Sequence, residues 1–316
     1  MNPFGSVHEA PAPAVAVEIA ADHIAGATLE WRGGQPVVGS YAIEPLASGA
    51  LIPSLTNLNT QNRATVAGTL TRVLERIGKP KRVGLIVPDV VAKVSLVKFE
   101  KVPPRAQDLE QLIRWQVRKT APFPIEEAQV AFVPGLAASD GVEFVVALSR
   151  RSIIEEYEAL CQDAGAHAGL VDLSTFNVVN AVLAGASAPT ADWLVINVAA
   201  DSSSIAIMRG AHMIFFRNRA ADAEGSLVDL VHQSAMYYED RLQGAGLTRV
   251  IVAGIGSVEG EQTRRELEQR LATTVTPIDP RSAAALTDRI AAAPALLDTL
   301  APLVGLLLRD RDVVRA

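Results

Sequence analysis

The sequence predicts an α/β protein with two lobes, and three observations support this prediction. Short apolar runs typical of strands alternate with helical patterns along the chain. Hydrophobic residues make up 49% of the sequence but aromatic residues only 5%, a composition typical of α/β interiors filled by small branched side chains. The 316 residues correspond to roughly two domains, and each half begins with strands joined by a short turn.

The first half is predicted to form, in chain order, strands over 15–20, 24–31 and 37–43, a helix over 63–77, strands over 83–87 and 91–99, a helix over 107–119, strands over 129–133 and 143–148, and helices over 152–165 and from 174. Apolar residues of the helix 107–119 share one face, and Trp115 lies at the edge of that stripe. Ser152 and Glu155 form a capping-box pair, which predicts that the next helix begins at Ser152.

The second half repeats this order after a small, polar segment over 184–192, which we interpret as a junction. It is predicted to form strands over 193–198, 204–209 and 212–217, a helix over 227–242, a strand over 249–253, a helix over 259–271, a strand over 275–278 and an Ala-rich helical tail that ends at 309–310. The repeated strand, turn and hairpin at the start of both halves indicates a weak internal duplication.

Composition excludes several classes of protein. The net charge of −6 argues against nucleic-acid binding driven by phosphate neutralisation. A single cysteine excludes a disulfide framework and multi-cysteine metal sites, and the five histidines lack metal-ligand spacing. The apolar stretch 300–308 is too short to span a bilayer, and the first 13 residues, which lack the regions of a signal peptide, predict a disordered lead-in. We therefore expect a cytoplasmic protein that reaches a membrane only through a partner.

One glycine motif follows a buried strand. Gly254-Ile255-Gly256-Ser257 comes directly after the strand 249–253 and precedes a helix, and Asp279 ends the next strand. This arrangement is similar to a dinucleotide fingerprint, but Gly260 gives the spacing GxGxxxG instead of GxGxxG. The alternative is a strand-to-helix turn that simply requires small residues.

The two hairpins and the later glycine turn together resemble the actin-like ATPase superfamily. The resemblance is closest to the type IV pilus assembly protein PilM family, and looser to the cytoplasmic part of the type II secretion protein GspL. Its most specific pieces are Pro122-Phe123-Pro124-Ile125-Glu126-Glu127, at the exit of a helix, and the closing stretch 300–309. The resemblance covers nearly the whole chain, with similar sequence over 109–127, 144–173, 193–217 and 249–257.

This resemblance implies an actin-like (ribonuclease H-like) two-lobed α/β fold with a small α+β subdomain inserted in the first lobe. The expected division is a lead-in over 1–13, a first lobe over 14–183 with the inserted subdomain at about 87–148, a junction over 184–192, a second lobe over 193–294 and a closing helix over 295–310 that packs back on the first lobe.

The resemblance also implies a nucleotide site whose loops are degenerate here. Relatives carry Asp-Ile-Gly-Ser and a lysine in the first hairpin, and Asp-Ile-Gly in the second. The corresponding residues here are Glu18, Ala20, Ala21, Asp22 and Ala25 in the first hairpin, Asn197, Ala199, Ala200, Asp201 and Ser202 in the second, and Gly254, Gly256 and Ser257 in the adenosine turn. Both phosphate loops lose a glycine and gain a carboxylate. We expect at most weak binding of ATP and Mg²⁺, no other cofactor and no metal site; Glu18 is the only candidate for a catalytic carboxylate.

By resemblance, the protein is an adaptor of a type IV pilus or type II secretion-type inner-membrane platform. It would bind the cytoplasmic tail of a PilN-like single-span membrane protein, and a pilus motor ATPase would be a further partner. That tail would recruit it to the inner face of the inner membrane. We predict that Trp115, Pro122, Phe123 and Pro124 contribute to the tail-binding region, since the inserted subdomain helps to form that groove in the family.

Two alternatives stay open at this point. The first is an active actin-like ATPase or small-molecule kinase, with Glu18 as its base; Asn197 and the lost glycines argue against it. The second is a filament-forming, membrane-tethered actin relative such as FtsA, which requires a basic amphipathic tail. The stretch 310–316 is too short and too mixed in charge to supply one.

Overall fold

A computed structural model describes residues 13–185, 187–256, 258–287 and 290–309. The strands are β1 Val15–Ile19, β2 His23–Arg32, β3 Gln35–Pro45, β4 Arg82–Val87, β5 Ala92–Phe99, β6 Ala128–Ala138, β7 Gly141–Arg150, β8 His167–Leu173, β9 Asp192–Val198, β10 Ser202–Arg209, β11 His212–Ala220, β12 Arg249–Ala253, β13 Val275–Pro277 and β14 Ala285–Leu286. The helices are α1 Arg63–Arg76, α2 Ala106–Val117, α3 Arg151–Asp163, α4 Ser174–Ala184, α5 Leu227–Arg241, α6 Val258–Leu271 and α7 Pro294–Leu308. Residues 1–12 of the lead-in predicted over 1–13, together with Ser257 and residue 310, lie outside the described residues.

Two large sheets share a common plan. The first has the order β14-β3-β2-β1-β4-β8 and the second the order β11-β10-β9-β12-β13. In each, an antiparallel meander leads into parallel strands, β1 beside β4 in the first sheet and β9 beside β12 in the second. This repetition places the first two hairpin tips, β1–β2 and β9–β10, at corresponding positions of the two lobes.

The inserted subdomain is a three-stranded antiparallel sheet in the order β5-β7-β6. Leu109, Ile113 and Val117 of α2 are buried against one face of this sheet, together with Phe144 and Val146 of β7. Because side chains alternate along a strand, Val145 and Ala147 of β7 face the opposite side, towards the two lobes.

The closing helix α7 joins the two lobes. Its apolar residues pack on the first sheet, where Leu303 and Val304 share a core with Ala16 and Ile86. Its Ala301 is buried in a separate core with side chains of the second sheet. Among the described residues, no helix combines the length and the apolar character needed to cross a bilayer.

Two local predictions differ from the structure. The helix predicted to begin at Ser152 has Arg150 at its N-cap and lacks a side-chain capping bond, so the capping-box prediction is wrong. The physical reason is that β7 runs directly into α3, and the last residue of the strand therefore takes the capping position. β6 is also longer than predicted, because its ladder with β7 continues beyond Pro134 through an irregularity between Pro134 and Ala137.

Candidate functional site

The two hairpin tips that face the cleft between the lobes are built alike. The first reads Ala20-Ala21-Asp22-His23 and the second Ala199-Ala200-Asp201-Ser202. In the first, the amide of Ala20 donates to the carbonyl of His23 at 2.9 Å; in the second, the amide of Ala199 donates to the carbonyl of Ser202 at 2.8 Å. Ala20 and Ala199 therefore both use their amide protons to close a tight turn.

Each tip is also tied to the third strand of its meander. The amide of Leu46 donates to the carbonyl of Asp22, and the amide of Ala221 donates to the carbonyl of Asp201, both at 2.8 Å. In the described part of the chain, the non-glycine residues with positive φ are Lys79, Gln243 and Ala272, and these lie outside both tips. The tips are thus ordinary turns that alanine and aspartate adopt without backbone strain.

Between the tips, side chains from both lobes form a buried hydrogen-bond network. The hydroxyl of Ser174, in the first turn of α4, donates to Glu18 Oε1 at 2.8 Å. Asn197 of β9 reaches α4 from the second lobe, and its Nδ2 donates to Thr175 Oγ1 at 3.0 Å and to Ser174 Oγ at 3.4 Å. Glu18 and Asn197, both predicted for the nucleotide site, are thus linked through Ser174.

Asp89 is the centre of this network, and the sequence analysis did not identify it as a site residue. It follows β4, and its carboxylate accepts from the amide of Thr175 at 3.0 Å, from the Thr175 hydroxyl and from the Ser204 hydroxyl at 2.6 Å. Asn218 of β11 donates in turn to Ser204 Oγ at 2.8 Å. One signal could have found Asp89: a carboxylate directly after a buried parallel strand lies where such sheets gather their polar sites.

The electrostatics of the cleft are dominated by carboxylates. Burial raises the pKa of Glu18 and of Asp89. Burial also raises the pKa of Asp201 to about 6, and the charges of Asp89 and Asp22 act in the same direction. His23 is the basic partner in this region: burial disfavours its charged form, but its Nδ1 contact with Asp22 at 2.7 Å and the charge of Glu18 raise its pKa overall.

The predicted adenosine turn packs tightly between the lobes. Gly254 has φ +85°, and a Cβ there would meet the carbonyl oxygen of Val198 at 1.8 Å. A Cβ on Gly256 would meet the backbone nitrogen of Ala295, in α7, at 2.5 Å. These two glycines are therefore required by close packing, whatever the turn binds. Ser257, also predicted for this site, lies outside the described residues.

A second concave region lies under the inserted subdomain. It is a groove of about 700 Å³ between the subdomain sheet, β8, α4 and the β10–β11 turn. We call it the subdomain groove and define it by Ala131 and Val133 of β6, Ala147 of β7, Leu170 of β8, Phe176 and Val179 of α4 and Met213 of β11. Its lining mixes apolar and polar side chains. Among its charged residues, Asp172 and Arg309 form an ion pair with each other at 3.3 Å, and Glu158 also lines the groove.

The subdomain groove is bounded by two sheet edges. β6 is the outer strand of the three-stranded sheet and β8 the outer strand of the first large sheet. Side chains of Gln129, Ala131 and Val133, at alternate positions of β6, are exposed and line the groove. An exposed strand edge beside a lining with apolar side chains favours an extended peptide.

The residues predicted for partner binding lie on the other side of the subdomain sheet. Trp115 is on α2 and is 62% exposed, and Phe123 packs against the core between α2 and the sheet. Pro122 and Pro124 are exposed on either side of Phe123. The α2 face and the subdomain groove are therefore separate candidate contact surfaces.

The chain is similar to a known protein family and to solved structures. The profile of the type IV pilus assembly protein PilM family matches residues 16–240. A solved PilM-PilN type IV pilus biogenesis complex is similar, with a TM-score of 0.81 at 19% identity over 95% of this chain and 99% of that one. The predicted actin-like two-lobed fold is confirmed.

Other solved structures are more distant. A Bacteroides thetaiotaomicron protein with an actin-like ATPase fold and unknown function matches with a TM-score of 0.48 at 10% identity, over 84% of this chain and 90% of that one. The cytoplasmic domain of EpsL, an inner membrane component of the type II secretion system of Vibrio cholerae, matches with a TM-score of 0.44 at 13% identity, over 75% of this chain and 80% of that one. Because the family profile matches residues 16–240, the chain belongs to the type IV pilus assembly protein PilM family.

Proposed function

We propose that this protein is the cytoplasmic adaptor of a pilus or secretion platform, and that it binds the cytoplasmic tail of a PilN-like membrane protein in the subdomain groove. The observation that carries the proposal is an open groove of about 700 Å³, with apolar side chains such as Phe176 and Val179 on its floor and a strand edge on either side. A similar structure was solved as a PilM-PilN complex, which supports a partner of this kind.

The edges suggest how the tail binds. An extended segment beside β6 or β8 would form main-chain hydrogen bonds with the strand, and its apolar side chains would enter the space above Phe176 and Val179. Main-chain bonds contribute affinity, while the apolar pockets select the sequence. Because the anchored partner would hold the protein at the inner face of the inner membrane, the adaptor itself needs no membrane segment. A pilus motor ATPase is a further proposed partner.

We also propose that the interlobe cleft binds ATP weakly or not at all and does not hydrolyse it. The amides of Ala20 and Ala199 are already donated within their turns, so they are not free to cradle a phosphate. Asn197 cannot supply the negative charge that an aspartate gives to magnesium, and its amide is bonded to Thr175. The carboxylates of Asp22 and Asp201 on the two tips repel a triphosphate.

Glu18 would be the base of an active enzyme, and its surroundings argue against that role. Its Oε1 accepts from Ser174, and it is 7% exposed. A general base must lie within hydrogen-bond reach of the attacking water, whereas here the carboxylate contacts a hydroxyl of the protein. The degenerate cleft therefore acts as a structural joint between the lobes.

Two solution measurements test the proposed function. Titration calorimetry with a synthetic peptide of the PilN-like tail should show one binding site per chain. Thermal shift with adenosine, ADP and Mg-ATP should show Mg-ATP binding no tighter than adenosine, because only the phosphates meet the carboxylates. Micromolar Mg-ATP binding with turnover abolished in Glu18→Gln would overturn the proposal for the cleft, and absence of peptide binding would overturn the adaptor.

A further inference from the structure

The glycine turn after β12 directs its backbone amides at a single carboxylate of the protein. The amide of Gly256 donates to Asp298 Oδ2 at 2.6 Å. Burial raises the pKa of Asp298, and the amides of Gly254, Gly256 and Ile255 oppose this by hydrogen bonding to its ionised form. Successive amides that converge in this way form a nest, a backbone arrangement that binds anions.

Asp298 and the turn that it contacts belong to different parts of the molecule. Asp298 lies on α7, which packs on the first sheet through Leu303 and Val304, whereas the turn belongs to the second lobe. The backbone of the turn approaches α7 so closely that a Cβ on Gly256 would meet Ala295 at 2.5 Å. A bond between Asp298 and the turn therefore joins one lobe to the other.

We propose that the amide nest at Gly254–Gly256 is an anion-binding site whose resident ligand is the carboxylate of Asp298. The carboxylate serves as an internal anion that holds α7 on the second lobe. The lobes are thereby kept together by a group of the chain itself, without an external anion. This inference goes beyond the proposed function, because it requires neither the partner tail nor a nucleotide.

Chemical rescue of the full chain tests the proposal. Asp298→Ala removes the internal anion and leaves the nest open to a small carboxylate, so formate is the probe. We expect the melting temperature of the variant to fall by about 4 °C or more, and sodium formate to restore part of this loss more effectively than sodium chloride at equal ionic strength. Asp279→Ala is the matched control, since Asp279 also accepts a backbone amide, from Arg281 at 3.0 Å, but in an exposed turn. Its melting temperature should respond equally to both salts.

Hydrogen exchange supplies a second, independent readout. In Asp298→Asn, which keeps the side-chain shape but loses the charge, the amides over 254–256 should exchange at least about tenfold faster than in the unmodified protein. Unchanged exchange over 254–256, or a response of Asp298→Ala to formate no greater than to chloride, would overturn the proposal. If Asp298→Ala does not fold, the exchange rates of Asp298→Asn decide the question alone.

Discussion

The interlobe cleft and the subdomain groove meet at residues 172–175, yet they use their polar groups in opposite ways. Ser174 and Thr175 bond to the carboxylates of Glu18 and Asp89, and Thr175 also accepts from Asn197 across the cleft, so side chains of the protein bridge the cleft. Asp172 and Leu173, immediately before them, line an open groove beside the edge of β8. Residues 172–175 therefore belong both to the interlobe cleft, a filled site whose polar groups bond to one another, and to the subdomain groove, which is an open site.

On the proposed function, this difference teaches how a fold can lose one ligand and keep the place for another. In the cleft, the amides of the hairpin tips and the hydroxyls around Asp89 find their hydrogen-bond partners within the protein. In the groove, the strand edges of β6 and β8 face a cavity that the described residues do not fill. Exposed edges of this kind are where an added strand gains its hydrogen bonds.

Asp89→Ala should have the greatest effect on stability, because it removes the centre of the filled site. Two hydroxyls and one amide would lose a buried acceptor. We expect the free energy of unfolding to fall by about 2–4 kcal/mol, measured by urea denaturation. Asp140→Ala is the control, since Asp140 is exposed and paired only with Lys98 among the described ion pairs. Equal stability of Asp89→Ala and the unmodified protein would show that the network does not hold the cleft closed.

Ala131→Trp should have the corresponding effect on the open site. Ala131 is exposed and lines the subdomain groove, so a large side chain there would occupy the space of the tail without disturbing the core. We expect the affinity for the tail peptide to fall at least about 30-fold, or about 2 kcal/mol, in titration calorimetry. Ala138→Trp, at an exposed alanine of β6 outside the groove, should bind like the unmodified protein. Undiminished binding by Ala131→Trp would place the tail elsewhere.

The fold was predictable where local pattern decides it. The helix predicted over 63–77 is α1, Arg63–Arg76, because its apolar positions have helical spacing and Gly78 follows. The hairpins were predictable from their turn residues, and the losses at Ala20, Ala199 and Asn197 from comparison with the family pattern. By contrast, β14 has two residues and pairs with distant β3, so local sequence carries no signal for it.

The site was predictable only in part, because long-range packing builds it. Asp89 contacts Ser204, 115 residues away in the chain, and Gly256 contacts Asp298, 42 residues away. The subdomain groove similarly combines β6, β8, α4 and the β10–β11 turn. Trp115 and Phe123 stand out in the sequence as aromatic residues, but α2 and the segment that follows it pack on the face of the subdomain sheet opposite the groove.

The pH dependence of the free energy of unfolding tests the charge of Asp201 at the tip of the second hairpin, when the unmodified protein is compared with Asp201→Asn. Burial raises the pKa of Asp201 to about 6 in the folded protein from an ordinary value of 3.8, so the folded state binds its proton more tightly. Its contribution is fully present below 3.8 and is lost as the pH rises through about 6. Asp201→Asn should therefore be more stable than the unmodified protein above that pH, by about 1 kcal/mol after allowance for partial exposure.

Urea denaturation from pH 4 to pH 8 measures this difference. The stability advantage of Asp201→Asn should shrink towards zero at the acidic end. An advantage that stayed constant over this range would show that the carboxylate of Asp201 is not destabilised by its burial near Asp89 and Asp22.

Trp115→Ala should have the least effect, and it compares the two faces of the subdomain sheet. Because Trp115 lies on the α2 face, its removal should change the affinity for the tail peptide by less than about threefold, far less than a hot-spot aromatic contributes. Circular dichroism would confirm that the variant is folded. A loss of tenfold or more in calorimetry would show that the tail also contacts the α2 face, as the sequence predicts.

Hydrogen exchange of the whole protein, followed with tail peptide and separately with Mg-ATP, compares the open and the filled site in one measurement. We predict that the tail peptide protects amides over 128–138 and 167–173, the two strand edges of the subdomain groove. Mg-ATP should leave exchange over 18–24 and 197–203, the two hairpin tips, unchanged. Protection of the hairpin tips by Mg-ATP, with no protection of β6 or β8 by the peptide, would contradict this assignment of the two sites.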